Sequence, residues 1–214
     1  CFQLYTAIFG VLDGMIQRSI HIAFGLCLIF LLYPAKKDWP RDKVHPVDMV
    51  FALLGAAVPM YILVFYQDLV LRAGLVTKAD YIVGVLGVLL ILEAARRVVG
   101  WPIVTIAGLF IAYALFGRHI PGALAHRGVA PGNLVQHLFF TTEGIFGMPI
   151  MVSSTFIFLF ILFGAYLDKT GMGQFFIDLS NAIAGWASGG PAKVAVLSSG
   201  LMGTVSGCSV ANVV

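Results

Sequence analysis

The residues best suited to holding a solute lie near the end of the sequence, in the run Thr204-Val205-Ser206-Gly207-Cys208-Ser209. Hydroxyls and freed backbone carbonyls are hard oxygen donors, and Asn212 adds an amide that can donate or accept a hydrogen bond. A helix that unwinds here would present these oxygens at bilayer depth without adding net charge, which suits Na⁺ or a substrate carboxylate. The alternative is a regular helix whose small residues pack against a neighbouring helix.

Charged residues in or beside apolar segments are the next candidates. Glu93 precedes Arg96 and Arg97 by three and four positions, which predicts ion pairs on one helix and favours a structural role over a role in transport. His21 lies one turn inside an apolar segment, where an ionisable residue is a functional candidate. So near the interface, however, a histidine is more often a hydrogen-bonded packing residue. Glu143 either caps the following helix from its positive end or contacts substrate or partner outside the membrane.

No motif of a catalytic site is present in the sequence. G-x-S-x-G, H-E-x-x-H, phosphate-loop and dinucleotide-binding patterns are all missing. The cysteines Cys1, Cys27 and Cys208 are far apart and have no partner at metal-ligand spacing, so neither a disulfide framework nor a metal centre is predicted. We therefore expect a protein that is not an enzyme and needs no cofactor.

The elements that must position these residues are membrane helices. Of the 214 residues 60% are hydrophobic and 11% are charged, whereas a soluble domain carries about 45–50% apolar and about 25% charged residues. A soluble core cannot absorb such an excess, because the surface of a domain must be covered by polar groups. The composition excludes a nucleic-acid-binding protein and a soluble enzyme, and it predicts an all-α, polytopic transmembrane protein.

Apolar runs of membrane-spanning length recur along the chain, since a bilayer core about 30 Å thick needs about 20 mostly apolar helical residues. Spans are expected at residues 19–34, 46–66, 80–99, Trp101 to near Gly117, and 149–167, after the end of a truncated span at 2–12. The sequence has no initiator Met and stops within an apolar run, so we expect an internal fragment of a longer protein.

The distribution of Lys and Arg predicts the orientation of these spans. By the positive-inside rule the 35–45 loop is cytoplasmic, the 118–148 segment lies outside, and a re-entrant hairpin at 189–214 enters from the cytoplasm.

Residues 174–187 carry apolar and polar side chains on opposite helical faces. This pattern is typical of a helix in the membrane interface, or of a polar-faced helix packed on the bundle.

Several sequence runs together resemble a known transporter family. They are FQLYTAIFG, QRSIHIAF, LILEAARRVVGWP from Leu90, PGALAHRG, TTEGIFGMP, FGAYLDKTGMGQFFIDL, GGPAKVAV and MGTVSGCSVANVV. In this order and spacing they resemble the fused membrane subunit of TRAP (tripartite ATP-independent periplasmic) transporters, specifically the branch that works with TAXI-type binding proteins.

The resemblance implies a division that helical periodicity could not show. Residues 1–117 would be the end of the small membrane module with its linking helices, and 118–148 an extracytoplasmic connection. Residues 149–214 would begin the large transport module and include its first hairpin.

The resemblance also implies where ions and substrate bind. SGCSVAN matches the tip of the family's first hairpin, and this places Ser206, Gly207, Cys208, Ser209 and Asn212 in the site, with Na⁺ at Ser206 and Ser209. The family commonly has a second serine where Cys208 stands. A thiol is a poor ligand for a hard cation, so either Ser209 substitutes for it or a backbone carbonyl is the ligand.

The function implied is that of a permease subunit in the cytoplasmic (inner) membrane of a bacterium or archaeon. It would import small organic anions such as carboxylates by secondary transport, driven by an ion gradient, usually Na⁺. The expected partners are a periplasmic TAXI-type substrate-binding protein, membrane lipid and the remainder of the same permease chain, but no nucleic acid. The alternative function is a non-transporting scaffold subunit of a transport complex.

Overall fold

The computed structural model describes residues 2–35, 45–72, 74–120, 122 and 125–206. Within these ranges all regular secondary structure is helical. The helices are α1 Phe2–Phe9, α2 Gly14–Leu32, α3 Pro46–Val64, α4 Tyr66–Leu71, α5 Lys78–Val98, α6 Trp101–Phe116, α7 Pro131–Phe139, α8 Met148–Val152, α9 Phe158–Lys169, α10 Met172–Ala184 and α11 Gly190–Ser206. A 3₁₀ turn at Gly117–His119 extends α6, and a π-helical segment at Ser153–Ile157 joins α8 to α9.

Four helical stretches are long and apolar enough to cross a membrane: Gly14–Leu32, Pro46–Val64, Trp101–His119 and Met148–Leu167. They confirm the predicted all-α, multi-pass membrane architecture. Helix α5 has 21 residues but carries charged residues at both ends, and it does not belong to this set. At about 1.5 Å per residue its length comes to about 30 Å, close to the thickness of a bilayer core. The span expected at 80–99 therefore stays a prediction.

Helix α2 begins five residues earlier than the sequence suggested. A carboxylate oxygen of Asp13 accepts a hydrogen bond from the backbone N–H of Met15 at 3.0 Å and so caps the helix start. Gln17 and Arg18, which precede the expected span, are buried on this first part of α2, as is Ser19. Arg18 therefore belongs to a helix, and its buried guanidinium donates a hydrogen bond to the Phe146 carbonyl.

One compact unit covers residues 11–151. Helices α2 and α3 pack side by side, α5 contacts both, and α7 lies on α5. The buried core residues are Ile22, Leu26, Phe30, Ala52, Val58, Ile62, Leu90, Ala94, Phe139 and Phe146. Two glycines of α5 let α7 approach: a Cβ at Gly84 would overlap Val135, and one at Gly87 would overlap the Phe139 ring.

The other compact unit contains residues 1–10 and 152–214. Helix α1 packs against α9 and the π-helical segment, and α10 packs along α11 after a short turn in which Gly189 has φ +76°. Helix α10 confirms the helix expected at 174–187, with Ser180 buried. Its placement in the membrane interface stays a prediction, as does the division of the chain at residues 117 and 148.

Candidate functional site

The predicted ion- and substrate-binding run begins at the C-terminal end of α11. This helix is continuous from Gly190 to Ser206, so any unwinding of the run comes after Ser206. Within the helix the Thr204 hydroxyl donates to the Leu201 carbonyl at 2.7 Å, and the Ser198 hydroxyl donates to the Ala195 carbonyl at 3.2 Å. Such local bonds are how helical Ser and Thr commonly satisfy their hydroxyls.

Most of the predicted ligands lie outside the described residues. This holds for Gly207, Cys208, Ser209 and Asn212, while Ser206 is described by its backbone alone. The helix break, the re-entrant hairpin and the Na⁺ ligands therefore remain predictions.

At the C-terminal end of α5 the structure forms the ion pairs expected of Glu93. Nε of Arg96 lies 2.7 Å from Glu93 Oε2, and Nε of Arg97 lies 2.8 Å from Glu93 Oε1. The Arg97 side chain is only 1% exposed and has a second carboxylate partner, since its Nη1 lies 2.7 Å from Asp48 Oδ1. Three charged groups of α5 and one of α3 therefore form one network.

The network also fixes the end of α2. Arg97 Nη1 donates to the Tyr33 carbonyl at 2.9 Å, and Arg96 Nη2 donates to the Ala35 carbonyl at 3.1 Å. The Arg97 guanidinium lies over the rings of Phe30 and Phe51, 4.8 and 5.0 Å from their centroids. Contacts of this kind tie α2, α3 and α5 together, which is the structural role that the sequence favoured.

Asp48 is the member of this network that sequence reasoning missed. Its side chain is 4% exposed, and it lies in the first turn of α3, two residues after Pro46. The available signal was an acidic residue at the start of an apolar segment, because a carboxylate there must find a cation when it is buried. Its partner is 49 residues away in sequence, so spacing could not identify it.

His21 and Glu143 occupy separate places in this unit. His21 is half-buried in α2. The carboxylate of Glu143 is 77% exposed and lies 3.7 Å from His137 Nδ1. Among the described residues no group of three or more His, Cys, Asp or Glu side chains could hold a metal ion.

A second polar cluster surrounds Asp80 at the N-terminal end of α5. The Asp80 carboxylate accepts from the Tyr61 hydroxyl at 2.7 Å, and from the Thr77 hydroxyl and backbone N–H at 2.6 and 2.9 Å. Nη1 of Arg72 lies 3.5 Å from Asp80 Oδ2, the oxygen that accepts both hydrogen bonds from Thr77. Thr77 and Asp80 form a capping box that fixes the start of α5.

A cavity of about 350 Å³ lies next to this cluster. Its apolar wall includes Ile62, Leu69 and Phe140. Its polar lining comes from two charged residues and from hydroxyl and amide groups: Arg72, Asp80, Tyr66, Gln136, Thr141 and Thr142. The sequence did not single out these residues, because they come from the ends of different helices.

Comparison with protein families decides the class of the molecule. Residues 86–214 match the family described as tripartite ATP-independent periplasmic transporter, DctM component. The chain belongs to this family. No curated protein and no solved structure matches the chain.

Membership of the DctM family makes the chain part of an integral membrane permease of a TRAP transporter. A permease of this kind works with a periplasmic substrate-binding protein, so the coarser partner prediction holds. The matched residues begin within α5 and include Glu93, Arg97, Glu143 and the whole predicted run from Ser206 to Asn212. His21, Asp48 and Asp80 precede them.

Proposed function

We propose that this TRAP permease imports small organic anions such as carboxylates, and that a Na⁺ gradient drives the uptake. The observation that supports the proposal is the position of the hydroxyl- and glycine-rich run, inside the DctM match and beginning at the C-terminal end of α11. A run of this composition offers hydroxyl and carbonyl oxygens, the ligands that Na⁺ and carboxylate groups require at bilayer depth. Ser206, Ser209 and Asn212 would be the principal ligands, with Gly207 and Cys208 contributing backbone groups.

The binding protein that delivers substrate is proposed to be of the TAXI type. The support for this is the resemblance in sequence, which runs through nearly the whole chain. A TAXI-type protein encoded beside the full-length permease should stimulate uptake, whereas an unrelated substrate-binding protein should leave it at background.

Uptake into proteoliposomes tests the site and its coupling ion together. The full-length permease and its binding protein are reconstituted, and uptake of a labelled carboxylate is measured with an inward Na⁺ gradient. We expect Ser206→Ala and Asn212→Ala to lower the uptake rate at least about tenfold, the loss that corresponds to about 1.4 kcal/mol. Ser198→Ala is the matched control, because the Ser198 hydroxyl bonds to a carbonyl of its own helix.

Two results would contradict the proposal. Uptake that persists when Na⁺ is replaced and every ion gradient is collapsed would exclude secondary transport. Full uptake by both Ser206→Ala and Asn212→Ala would exclude the run as the site. For each variant, size-exclusion chromatography of the extracted permease must show the same amount of folded protein as for the wild type.

A scaffold role is the second candidate, and the buried network around Arg97 favours it for residues 11–151. Ion pairs that tie three helices together suit a unit that keeps one shape. A purely scaffolding chain would tolerate both Ser206→Ala and Asn212→Ala, so the same uptake assay separates the two candidates.

A further inference from the structure

The cavity beside Asp80 has the chemistry of a phospholipid site. We propose that it binds the phosphodiester headgroup of a membrane phospholipid, with Arg72 on the phosphate and the acyl chains running along the adjoining apolar surface. The site differs from the run that begins at Thr204, and it does not depend on which solute the permease carries.

The position of the cavity places it at the depth of lipid headgroups. Met15 lies in the first turn of α2, Ile62 lies in the last turn of α3, and Asp80 lies in the first turn of α5. The ends of three long helices therefore meet at its wall. Two of these helices are long and apolar enough to cross a membrane, so their ends lie near the membrane surface.

Arg72 has the unused donors that an anion requires. Its Nε donates to the Asp68 carbonyl at 3.1 Å and its Nη1 contacts Asp80 at 3.5 Å, whereas its Nη2 makes no hydrogen bond to the described residues. The side chain is 34% exposed, so an entering ligand can reach it. The planar guanidinium is well suited to binding a phosphate through two parallel hydrogen bonds.

Asp80 does not oppose an anion as strongly as a free carboxylate would. It already accepts hydrogen bonds from Tyr61 and from two groups of Thr77, in addition to its contact with Arg72. These bonds hold Asp80 in place, and Asp80 in turn orients Arg72. The amide of Gln136 and the hydroxyl of Thr142 add neutral polar groups to the same lining.

The apolar part of the lining favours a lipid over a small soluble anion. Val70 and Leu75 line the cavity and are 55% and 75% exposed. A free phosphate or short carboxylate would leave these side chains uncovered, whereas acyl chains would bury them. A volume of about 350 Å³ lies within the range of ligand pockets, about 300–1,000 Å³, and suits a headgroup whose chains stay outside.

Native mass spectrometry of the full-length permease in mild detergent tests this proposal. The wild type should retain one phospholipid per chain through a detergent wash, and palmitoyl-oleoyl-phosphatidylglycerol should rebind after delipidation.

Arg72→Gln should weaken that rebinding about tenfold or more. Leu75→Trp should weaken the rebinding by a similar factor, because the larger side chain obstructs an exposed part of the cavity wall. This variant tests the proposal if Arg72→Gln fails to fold. Arg118→Gln is the matched control, because Arg118 is exposed and does not line the cavity.

A second arm separates a lipid from a free anion. Inorganic phosphate at millimolar concentration is added to the delipidated permease, and the thermal unfolding midpoint is compared with that obtained with phosphatidylglycerol. We expect the midpoint to rise with the lipid alone. An equal rise with inorganic phosphate, or wild-type lipid binding by both Arg72→Gln and Leu75→Trp, would overturn the proposal.

Discussion

The Arg97 guanidinium shows how a single buried charge can organise three helices. Its side chain is 1% exposed, yet it has carboxylate partners on α3 and α5, a carbonyl partner after α2 and two aromatic rings beside it. Removing one member of a buried pair leaves the other charge without compensation, which costs more than the pair itself contributes. The network should therefore be far more sensitive to substitution than the exposed ion pairs.

Asp48→Ala should lower the stability of the full-length permease by about 3 kcal/mol, because Arg97 keeps only Glu93 as a carboxylate partner. The measurement is the thermal unfolding midpoint in detergent. Glu143→Ala is the control: its pair with His137 is exposed, and such a pair contributes less than about 1 kcal/mol. The double variant Asp48→Leu with Arg97→Met should be more stable than Asp48→Ala alone. If Asp48→Ala cost no more than Glu143→Ala, the network would have no structural role.

Residue-level prediction from sequence succeeded where partners are local and failed where they are distant. The pairs of Glu93 with Arg96 and Arg97 follow from positions three and four apart on one helix. Gln17 and Arg18 lay outside the predicted span because both are polar, yet tertiary packing buries both residues. Asp48 pairs with Arg97 and Asp80 accepts from Tyr61, each on another helix, and spacing along one helix cannot identify such partners.

Two glycines determine how closely α7 approaches α5. At Gly84 and Gly87 the backbone of α5 is in direct contact with Val135 and Phe139 of α7. Phe139, the neighbour of Gly87, belongs to the core and is fully buried. A side chain at either glycine would force Val135, Phe139 or α7 itself to shift, and a packed core resists such shifts.

Gly87→Ala should destabilise the permease by about 1–3 kcal/mol, the usual cost of forcing extra atoms into a packed core. Gly108→Ala in α6 is the matched control, because a Cβ there would have no neighbour within 4 Å. Replacing this exposed helical glycine should be neutral or stabilising by up to about 1 kcal/mol. Thermal unfolding of both variants in the same detergent gives the comparison. Equal midpoints would mean that α7 does not pack on α5 as described.

Helix boundaries could be predicted from sequence where a local signal sets them. Proline near the first position marks the starts of α3 and α6, and the predicted starts at Pro46 and Trp101 are confirmed. The start of α2 depends on Asp13 as a cap and on burial of the polar residues that follow, so composition alone placed it too late. The π-helical segment at Ser153–Ile157 left no sequence signal that periodicity could detect.

On the scale of the whole molecule, α5 connects the two polar clusters of residues 11–151. Asp80 lies near its start and Arg97 near its end, a separation of about 25 Å along a helix. This distance is close to the thickness of a bilayer core, about 30 Å. The segment between them carries only Glu93 as a charged residue before Arg96. A helix charged at both ends and apolar between them is suited to crossing the membrane with each end at one surface.

Single cysteines at the two ends of α5 should therefore react from opposite sides of the membrane. In a full-length permease whose native cysteines are replaced by serine, Lys78→Cys and Val99→Cys introduce thiols at exposed positions. A membrane-impermeant maleimide added to intact cells should label the cysteine at 78, because the positive-inside rule places Arg96 and Arg97 in the cytoplasm. The cysteine at 99 should react only after the membrane is permeabilised. Labelling of both from the same side would show that α5 does not span the membrane.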